Sequence, residues 1–312
     1  MKWGFAGYGR IARKFEIGLN HIGHDIAAIA SRSGAADVDP SIRAYDNYDD
    51  LMKDPEVDIV YVSTTHNTHA ALSIAALNAG KHVLCEKPMA TSSADVKKMT
   101  IVAQSNNRFL MEAIWTRYLP GYQQALQLIR AGTIGTVVQV NAHFGFCMNP
   151  DDPKQRLLDP KLAAGAIWDV GIYPISLTQD VFGESPKDIQ VVAELSEFNV
   201  EDRCAMQFSY GDNRIAQLSC AVNLSTINNA VIAGTHGHII MKDFWKCEEF
   251  TVIKDGHETT HHHPMTSNGL CHEAMACKAL IEDDQVQSPL ISWQHSIQLA
   301  TIMDKAIKMA RD

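Results

Sequence analysis

The sequence has 312 residues, of which 46% are hydrophobic and 20% are charged, and its formal net charge at pH 7 is −9. These values predict a globular chain of about two domains, and the acidic balance without a Lys/Arg cluster argues against a nucleic-acid-binding protein. No apolar run reaches the ~20 residues that span a bilayer, and the first ten residues lack the pattern of a signal peptide, so we expect neither a membrane segment nor a leader.

In the first 118 residues, short apolar runs alternate with amphipathic stretches. The apolar runs predict strands at residues 2–6, 25–30, 57–62, 82–85 and 109–111. The stretches between them predict helices at residues 10–19, 48–53, 68–78 and 94–105, the last capped by Ser92 or Ser93. This alternation is typical of an α/β domain with a doubly wound parallel sheet of the Rossmann type.

Residues 119–312 have a different pattern. A predicted helix at residues 121–131 is followed by seven predicted strands, at residues 136–146, 189–197, 204–210, 214–221, 229–233, 238–242 and 250–253. Two helices, at residues 269–283 and 293–310, close the chain, and the last one could pack back on the first domain. We expect an α+β domain with a large, mostly antiparallel open sheet, and the cleft between the two domains is the default ligand site.

A glycine fingerprint lies between the first predicted strand and helix. Residues 7–12, Gly-Tyr-Gly-Arg-Ile-Ala, fit the G-x-G-x-x-G/A pattern of dinucleotide-binding proteins. In that pattern Gly7 permits a tight turn, Gly9 admits a pyrophosphate and the small Ala12 allows close packing. Cofactor contacts are therefore expected from Gly7, Tyr8, Gly9, Arg10 and Ile11. The alternative is a tight strand-to-helix turn without a ligand.

The end of the second predicted strand bears on the choice of cofactor. An NAD site usually has an acidic residue there, whereas this chain reads Ala30-Ser31-Arg32 and has no carboxylate before Asp37. Ser31 and Arg32 can bind a 2′-phosphate, so the sequence favours NADP(H), with NAD(H) as the alternative. Arg32 could instead be a solvated loop residue.

A more specific motif follows the fourth predicted strand. Residues 80–88 read GKHVLCEKP, and with residues 64–69, 111–120 and 165–173 they resemble the glucose–fructose oxidoreductase/inositol dehydrogenase (Gfo/Idh/MocA) family. The last two segments are similar to its dihydrodiol dehydrogenase and NADP-dependent aldose dehydrogenase branch. Two positions depart from common family patterns: His66 stands where a proline is usual, and Tyr173 where many relatives carry histidine.

The resemblance implies further site residues and a homodimer formed through the C-terminal sheet. Cofactor contacts are expected from residues near the ends of the third and fourth predicted strands, namely Thr64, Thr65, Asn67, His69, Glu86 and Lys87.

Three residues are candidates for catalysis. Lys87 follows a strand end, where open α/β sheets bind ligands, and it could stabilise a phenolate or polarise a carbonyl. Asp169 and Tyr173 are four residues apart and share a face if this segment is helical. Tyr173 is then a candidate proton donor or acceptor, and Asp169 could orient a substrate hydroxyl or Lys87. By pattern alone, Tyr173 would be a core aromatic residue with a satisfied hydroxyl.

Substrate contacts are expected from Asp169 and Tyr173 and from aromatic or cationic residues around the two motifs. These are Trp115, Arg117, Phe144 and Arg156, with Phe146 as a weaker candidate. The alternative for the two phenylalanines is an ordinary core position.

The histidines and cysteines give no metal prediction. His257 and His261–His263 lie close together, but adjacent histidines cannot easily face one ion, so a solvated loop is expected. The seven cysteines are scattered and form no C-x-x-C pair, which favours reduced thiols and a cytoplasmic protein.

The sequence therefore predicts an NADP-dependent oxidoreductase. It would transfer a hydride between the nicotinamide and a secondary alcohol or hemiacetal, or its carbonyl, of a sugar-like or trans-dihydrodiol substrate. Two alternatives stay open: a reductase of a dicarbonyl sugar such as 1,5-anhydrofructose, and a non-catalytic dinucleotide-sensing protein.

Overall fold

The computed structural model describes residues 1–32, 38–149 and 156–312. The chain divides into two compact units: residues 1–118 with 266–297, and residues 119–265 with 298–312. Within the described ranges, no helix is long and apolar enough to cross a membrane.

The described part of the chain forms eight α-helices: α1 (Arg10–His21), α2 (Tyr48–Lys53), α3 (His69–Asn78), α4 (Ser93–Ser105), α5 (Pro120–Arg130), α6 (Ile172–Phe182), α7 (Cys271–Glu282) and α8 (Trp293–Arg311). The predicted cap of α4 is confirmed, because the Ser92 hydroxyl accepts a hydrogen bond from the Asp95 amide at 3.1 Å.

The first unit contains a six-stranded parallel sheet. Its strands are β1 (Trp3–Ala6), β2 (Ile26–Ala30), β3 (Arg43–Tyr45), β4 (Ile59–Val62), β5 (His82–Glu86) and β6 (Leu110–Ala113). Their order in the sheet is β3-β2-β1-β4-β5-β6, and every neighbouring pair is parallel. All residues of β1 and β4 are buried, as expected for strands covered on both faces. The predicted doubly wound sheet is confirmed.

The short edge strand β3 was absent from the predicted elements. It has only three residues, in a polar stretch with no apolar run to mark it. Tertiary contacts hold it instead: the Arg43 guanidinium donates to the Asp54 carboxylate at 2.8 and 2.9 Å, and the Tyr45 hydroxyl donates to the same carboxylate at 3.1 Å.

The second unit contains an eight-stranded sheet. Its strands are β7 (Val137–Gly145), β8 (Asp188–Leu195), β9 (Glu201–Gly211), β10 (Arg214–Ala221), β11 (Ala230–Gly234), β12 (Gly237–Lys242), β13 (Glu249–Lys254) and β14 (His257–His262). The order is β14-β13-β12-β11-β7-β10-β9-β8. All pairs are antiparallel except β7 with β10. The mostly antiparallel α+β fold predicted for this region is therefore confirmed.

The two faces of this second sheet differ in burial. Val140, Phe208 and Leu218 are buried on one face, and helix α6 packs against β7 and β10. The opposite face, which we call the open face, contains Asn141, Gln217 and other polar side chains interspersed with small apolar ones. Alternation along the strands thus places a polar surface directly behind a hydrophobic core.

The histidine segment forms strand β14, so the expected loop is wrong. Residues His257–His262 pair along their whole length with β13, and the His261 ring stacks on Phe250 with centroids 4.6 Å apart. Cross-strand pairing and aromatic stacking stabilise this segment as a strand, although its polar composition is typical of a loop. Among the described residues, no group of three or more His, Cys, Asp or Glu side chains could hold a metal ion.

Candidate active site

The glycine turn connects β1 to α1. Gly7 has a φ of +97°, and a methyl group there would lie 3.0 Å from the backbone carbonyl of Ser63. Gly9 precedes α1 in an extended conformation, with a φ of −82°. A methyl group on Gly9 would meet no described protein atom within 4 Å. The turn is thus closed on the protein side at Gly7 and open at Gly9.

The start of α1 can accept an anion. Gly9 provides no side-chain cap, and the first turn contains no acidic residue, so its amides face the open side with the positive end of the helix dipole. Ala12 is fully buried, as close helix–strand packing requires. These features fit the pyrophosphate of a dinucleotide.

The other predicted residues of this segment differ in exposure. The Tyr8 side chain is folded back on α1: its hydroxyl donates to Glu16 at 2.6 Å, and the Arg13 guanidinium lies 4.3 Å from the ring centroid. Arg10 is exposed and Ile11 is half-buried.

Ser31 and Arg32 follow β2 at the same edge of the sheet. Ser31 is buried and donates its amide to the Tyr45 carbonyl at 3.1 Å, whereas Arg32 is exposed. Asp37, the first carboxylate after this strand, lies outside the described residues. Arg32 is therefore accessible to a ligand at the carboxyl end of β2.

The loop after β4 is next to the glycine turn in the sheet. The Ser63 hydroxyl donates to the Gly7 carbonyl at 3.1 Å. In the same loop, the Thr65 hydroxyl donates to Asn67 Oδ1 at 2.7 Å, and the Thr68 hydroxyl donates to Thr64 Oγ1 at 2.7 Å. Parallel strand order alone brings this loop to the carboxyl edge beside Gly7.

His69 connects two of these segments. It is fully buried, and its Nδ1 lies 2.8 Å from the Pro88 carbonyl oxygen while its Nε2 lies 3.2 Å from the Thr64 carbonyl oxygen. The ring thus joins the loop after β4 to the segment after β5.

Buried acids fix the Glu86-Lys87-Pro88 segment. At the end of β5, Glu86 accepts the Tyr61 hydroxyl at 2.5 Å and the Lys87 amide at 3.1 Å. Beyond the proline, the Met89 amide donates to Glu112 Oε1 at 2.8 Å. Lys87 itself is half-buried between buried neighbours. The backbone on both sides of Lys87 is thereby anchored, which limits where its side chain can reach.

Two of the buried acids were missed by sequence reasoning. Burial raises the pKa of Glu112, while Arg117 and Lys87 act to lower it. Burial and the Glu86 carboxylate raise the pKa of Glu273, a fully buried residue of α7, well above its usual value, which favours its neutral form. Their only sequence signal is a single acid within an apolar stretch.

Trp115 and Arg117 lie in a short 3₁₀-helix after β6. Trp115 is half-buried. Arg117 is only 1% exposed, and its Nη1 donates to the Leu290 carbonyl at 3.2 Å. This contact holds the guanidinium against the backbone of the first unit, and the expected substrate contact of Arg117 stays a prediction.

In the second unit, a π-helical turn carries Asp169. The turn spans Ile167–Gly171 and continues directly into α6, whose second residue is Tyr173. Asp169 and Tyr173 thus lie on one continuous helical run, as their spacing predicts. Pro174 lies in the first turn of α6, near the start where proline is tolerated. Turns of this kind are frequent at functional sites.

Side chains around this run form an ion pair and an aromatic cluster. Arg156 Nη2 lies 3.2 Å from Asp169 Oδ1, and the Asp169 side chain is 14% exposed. The Tyr173 ring, 7% exposed, is 5.3 Å from that of Phe144, which stacks on Trp245 at 5.1 Å. Phe146, by contrast, is half-buried and lies just beyond the end of β7. The structure thus brings together Arg156 with Asp169 and Phe144 with Tyr173.

Comparison with known proteins gives a family match to both parts of the chain. A family model described as an oxidoreductase family with an NAD-binding Rossmann fold matches residues 1–114, and a GFO/IDH/MocA C-terminal domain model matches residues 122–240. The trans-1,2-dihydrobenzene-1,2-diol dehydrogenase of Xenopus laevis is 32% identical, with 98% of this chain and 97% of the relative covered.

Solved structures share the fold. An aldose-aldose oxidoreductase from Caulobacter crescentus, complexed with glycerol, superposes with a TM-score of 0.87 at 24% identity, covering 100% of this chain and 97% of that one. A 3-ketoreductase from Actinomadura kijaniata, in complex with NADP and TDP-benzene, has a TM-score of 0.89 at 22% identity, covering 100% and 98%.

Proposed function

The chain belongs to the Gfo/Idh/MocA oxidoreductase family, and on that premise we propose that it is an NADP-dependent oxidoreductase of sugar-like or trans-dihydrodiol substrates. It would transfer a hydride between the nicotinamide and a secondary alcohol or hemiacetal, or the corresponding carbonyl. The coarser prediction, an NAD(P)-dependent oxidoreductase, is confirmed by the family match. The substrate class is supported by the names of two similar proteins, a trans-1,2-dihydrobenzene-1,2-diol dehydrogenase and an aldose-aldose oxidoreductase.

The observation that carries the proposal is the anchored segment around Lys87. Glu86 holds the Lys87 amide and Glu112 holds the Met89 amide, so the lysine leaves the carboxyl end of β5 from a fixed backbone. A surface lysine without a function would not need two buried carboxylates to define its position.

The preference for NADP rests on the end of β2. Arg32 is exposed beside the buried Ser31, and a guanidinium with a neighbouring hydroxyl suits a 2′-phosphate dianion. Contacts to the rest of the cofactor are assigned to residues 7–11, Thr64, Thr65, Asn67, Glu86 and Lys87. His69 supports them by holding the loop after β4.

The cofactor, when bound, donates or accepts the hydride. The residues of the chain would manage the accompanying proton and charge. Tyr173 is the proposed proton donor and acceptor, and its phenol is held in an aromatic cluster rather than in bulk water. Lys87 supplies a positive charge to the developing oxyanion. Asp169, oriented by Arg156 at 3.2 Å, accepts a substrate hydroxyl, with Trp115 and Phe144 as further substrate contacts.

A substrate screen tests this function. NADP and NAD are each offered with aldoses, polyols and aromatic trans-dihydrodiols, and NADPH with dicarbonyl sugars, with absorbance followed at the reduced-nicotinamide band. We expect turnover with NADP and one substrate class. Turnover only with dicarbonyl sugars would favour the reductase alternative, whereas tight NADPH binding without any turnover would favour a dinucleotide sensor.

Two variants test the assigned roles. Lys87→Met and Tyr173→Phe should each lower kcat by about 10²–10⁴-fold, the usual contribution of a positioned proton-transfer or oxyanion-stabilising group. Tyr173→Phe should keep the NADPH affinity within about threefold, because Tyr173 is not among the proposed cofactor contacts, whereas Lys87→Met removes one such contact and is judged on kcat alone. If both variants retain wild-type kcat, the roles are wrong.

We also propose a homodimer formed through the open face and a cytoplasmic location. The open face combines hydrogen-bonded polar pairs, such as His143 Nδ1 with Ser219 Oγ at 2.9 Å, with the apolar Val192, which is 76% exposed. All seven cysteines are free thiols, which suits a reducing compartment. Light scattering and cell fractionation test the two statements.

A further inference from the structure

A buried ion pair lies beside the segment that carries Asp169. In the second unit, the Arg311 guanidinium near the end of α8 contacts Glu201 Oε2 through Nη2 at 2.8 Å and Nε at 2.9 Å. The Glu201 side chain is completely buried, whereas that of Arg311 is 29% exposed. Burial raises the pKa of Glu201 and Arg311 opposes that shift. A buried carboxylate of this kind depends on its partner.

The pair is attached to the chain just before the π-helical turn. Arg311 Nη2 also donates to the Ala164 carbonyl at 3.1 Å. Gly165 lies against the carboxylate so closely that a methyl group there would be 2.3 Å from Glu201 Oε1. The backbone amide of Ile167, the first residue of the turn, also acts on the Glu201 carboxylate, lowering its pKa. Ala164 and Gly165 thus both lie directly against the ion pair.

Gly165 transmits this position to both partners of the Asp169 ion pair. Its carbonyl accepts the Asp169 amide at 3.2 Å, and its own amide donates to the Leu157 carbonyl at 3.1 Å. Leu157 is the neighbour of Arg156, whose guanidinium pairs with the Asp169 carboxylate. Tyr173 follows four residues later on the same helical run.

We propose that Arg311 and Glu201 are positioning residues that set the backbone of residues 164–173 and thereby the placement of Asp169, Arg156 and Tyr173 for substrate. The inference rests on the proposed function for the roles of Asp169 and Tyr173. It assigns to Arg311 no contact with the substrate, only control of the segment that makes such contacts.

The test compares Arg311→Met with Arg311→Lys and with Lys308→Met, an exposed charge removal in the last turn of the same helix. Hydrogen exchange of peptides covering residues 164–173 is measured together with kcat, KM and NADPH affinity. Arg311→Met should lose amide protection in this segment and about ten- to a hundredfold in kcat/KM, the usual cost of a misplaced catalytic group. NADPH affinity should stay within about twofold, Arg311→Lys should recover part of both losses, and Lys308→Met should match the wild type.

A second variant separates positioning from loss of stability. In Glu201→Gln/Arg311→Met, the unpaired buried charge is gone, so the melting temperature should recover relative to Arg311→Met while kcat/KM stays low. Recovery of kcat/KM to the wild-type value in this double variant would overturn the proposal. So would unchanged exchange and kcat/KM in Arg311→Met.

The exchange measurement is independent of turnover. If the wild type turned over no substrate while Arg311→Met lost protection in residues 164–173, the proposed function would fail and the structural part of the inference would stand. If the wild type were active and Arg311→Met lost NADPH affinity as much as kcat/KM, the effect would be global, and positioning would be refuted.

Discussion

Two glycines of the same turn should respond in opposite ways to replacement by alanine. At Gly9 the backbone is extended, with a φ of −82°, and the new methyl group would have no described protein atom within 4 Å. Gly9→Ala should therefore leave the fold unchanged. At Gly7, φ is +97° and the methyl group would be 3.0 Å from the Ser63 carbonyl. Gly7→Ala should be destabilised, by about 1–2 kcal/mol for the backbone alone.

NADPH affinity, unlike fold stability, should be reduced by the alanine at Gly9. The open space at Gly9 is where a pyrophosphate would approach, and a hydrogen bond to a charged group contributes about 1.5–3 kcal/mol. Losing one such bond in Gly9→Ala corresponds to an increase of about 10- to 100-fold in the NADPH dissociation constant.

Titration of NADPH fluorescence and thermal unfolding of both variants measure the two effects together. A wild-type NADPH dissociation constant for Gly9→Ala would refute the pyrophosphate contact at Gly9. Melting of Gly9→Ala as early as Gly7→Ala would refute it as well, because the free space at Gly9 would then be needed by the protein itself.

Three further predictions follow from other parts of the structure. Arg32→Gln should weaken NADPH binding by about 10- to 100-fold, the loss of a charge-assisted pair, and leave NADH binding unchanged in the same titration. His82 accepts the Phe109 amide at 3.0 Å, and burial and Arg108 lower its pKa to about 4. The neutral His82 ring therefore stabilises the fold fully above the unfolded-state pKa of about 6.5, and this stabilisation is lost as the pH falls towards the folded-state pKa of about 4. Between pH 7 and pH 5, urea unfolding should show that the free energy of unfolding of the wild type falls by about 1 kcal/mol more than that of His82→Asn, after allowance for solvent screening. Val192→Arg on the open face should convert the proposed dimer to a monomer in light scattering, and an unchanged mass for a dimeric wild type would exclude this face.

The parallel sheet could be predicted because its signals are local. The runs that became β1 and β4 are apolar on both faces, and the glycine turn lies directly after β1. Strand order then follows from connectivity rules rather than from distant partners. The same rules place Gly7, Ser31, Thr64 and Glu86 at the carboxyl ends of neighbouring strands without any contact being known.

The supporting residues of the site could not be predicted because their partners are far away in sequence. Glu112 accepts the amide of Met89, which is 23 positions away, and the His69 ring contacts the carbonyl of Pro88, which is 19 positions away. Nothing local to a glutamate or histidine tells whether it will accept a ligand or hold a backbone. The sequence therefore gives Glu112 no role, and the expected cofactor contact of His69 stays a prediction.

Arg117 illustrates the same difficulty for a cation. Its motif follows β6, where ligand-binding residues are common, yet its guanidinium is buried against a carbonyl 173 positions away. The family resemblance and the four-residue spacing nominated Asp169 and Tyr173, whereas their proposed positioning depends on Glu201 and Arg311, which are 110 positions apart. A local pattern can therefore nominate the groups that do chemistry, while the precision on which that chemistry depends is set by contacts that only the folded chain creates. Variants of these distant partners are consequently a stricter test of the site than variants of the nominated residues, because they retain every proposed reacting group and change only its position.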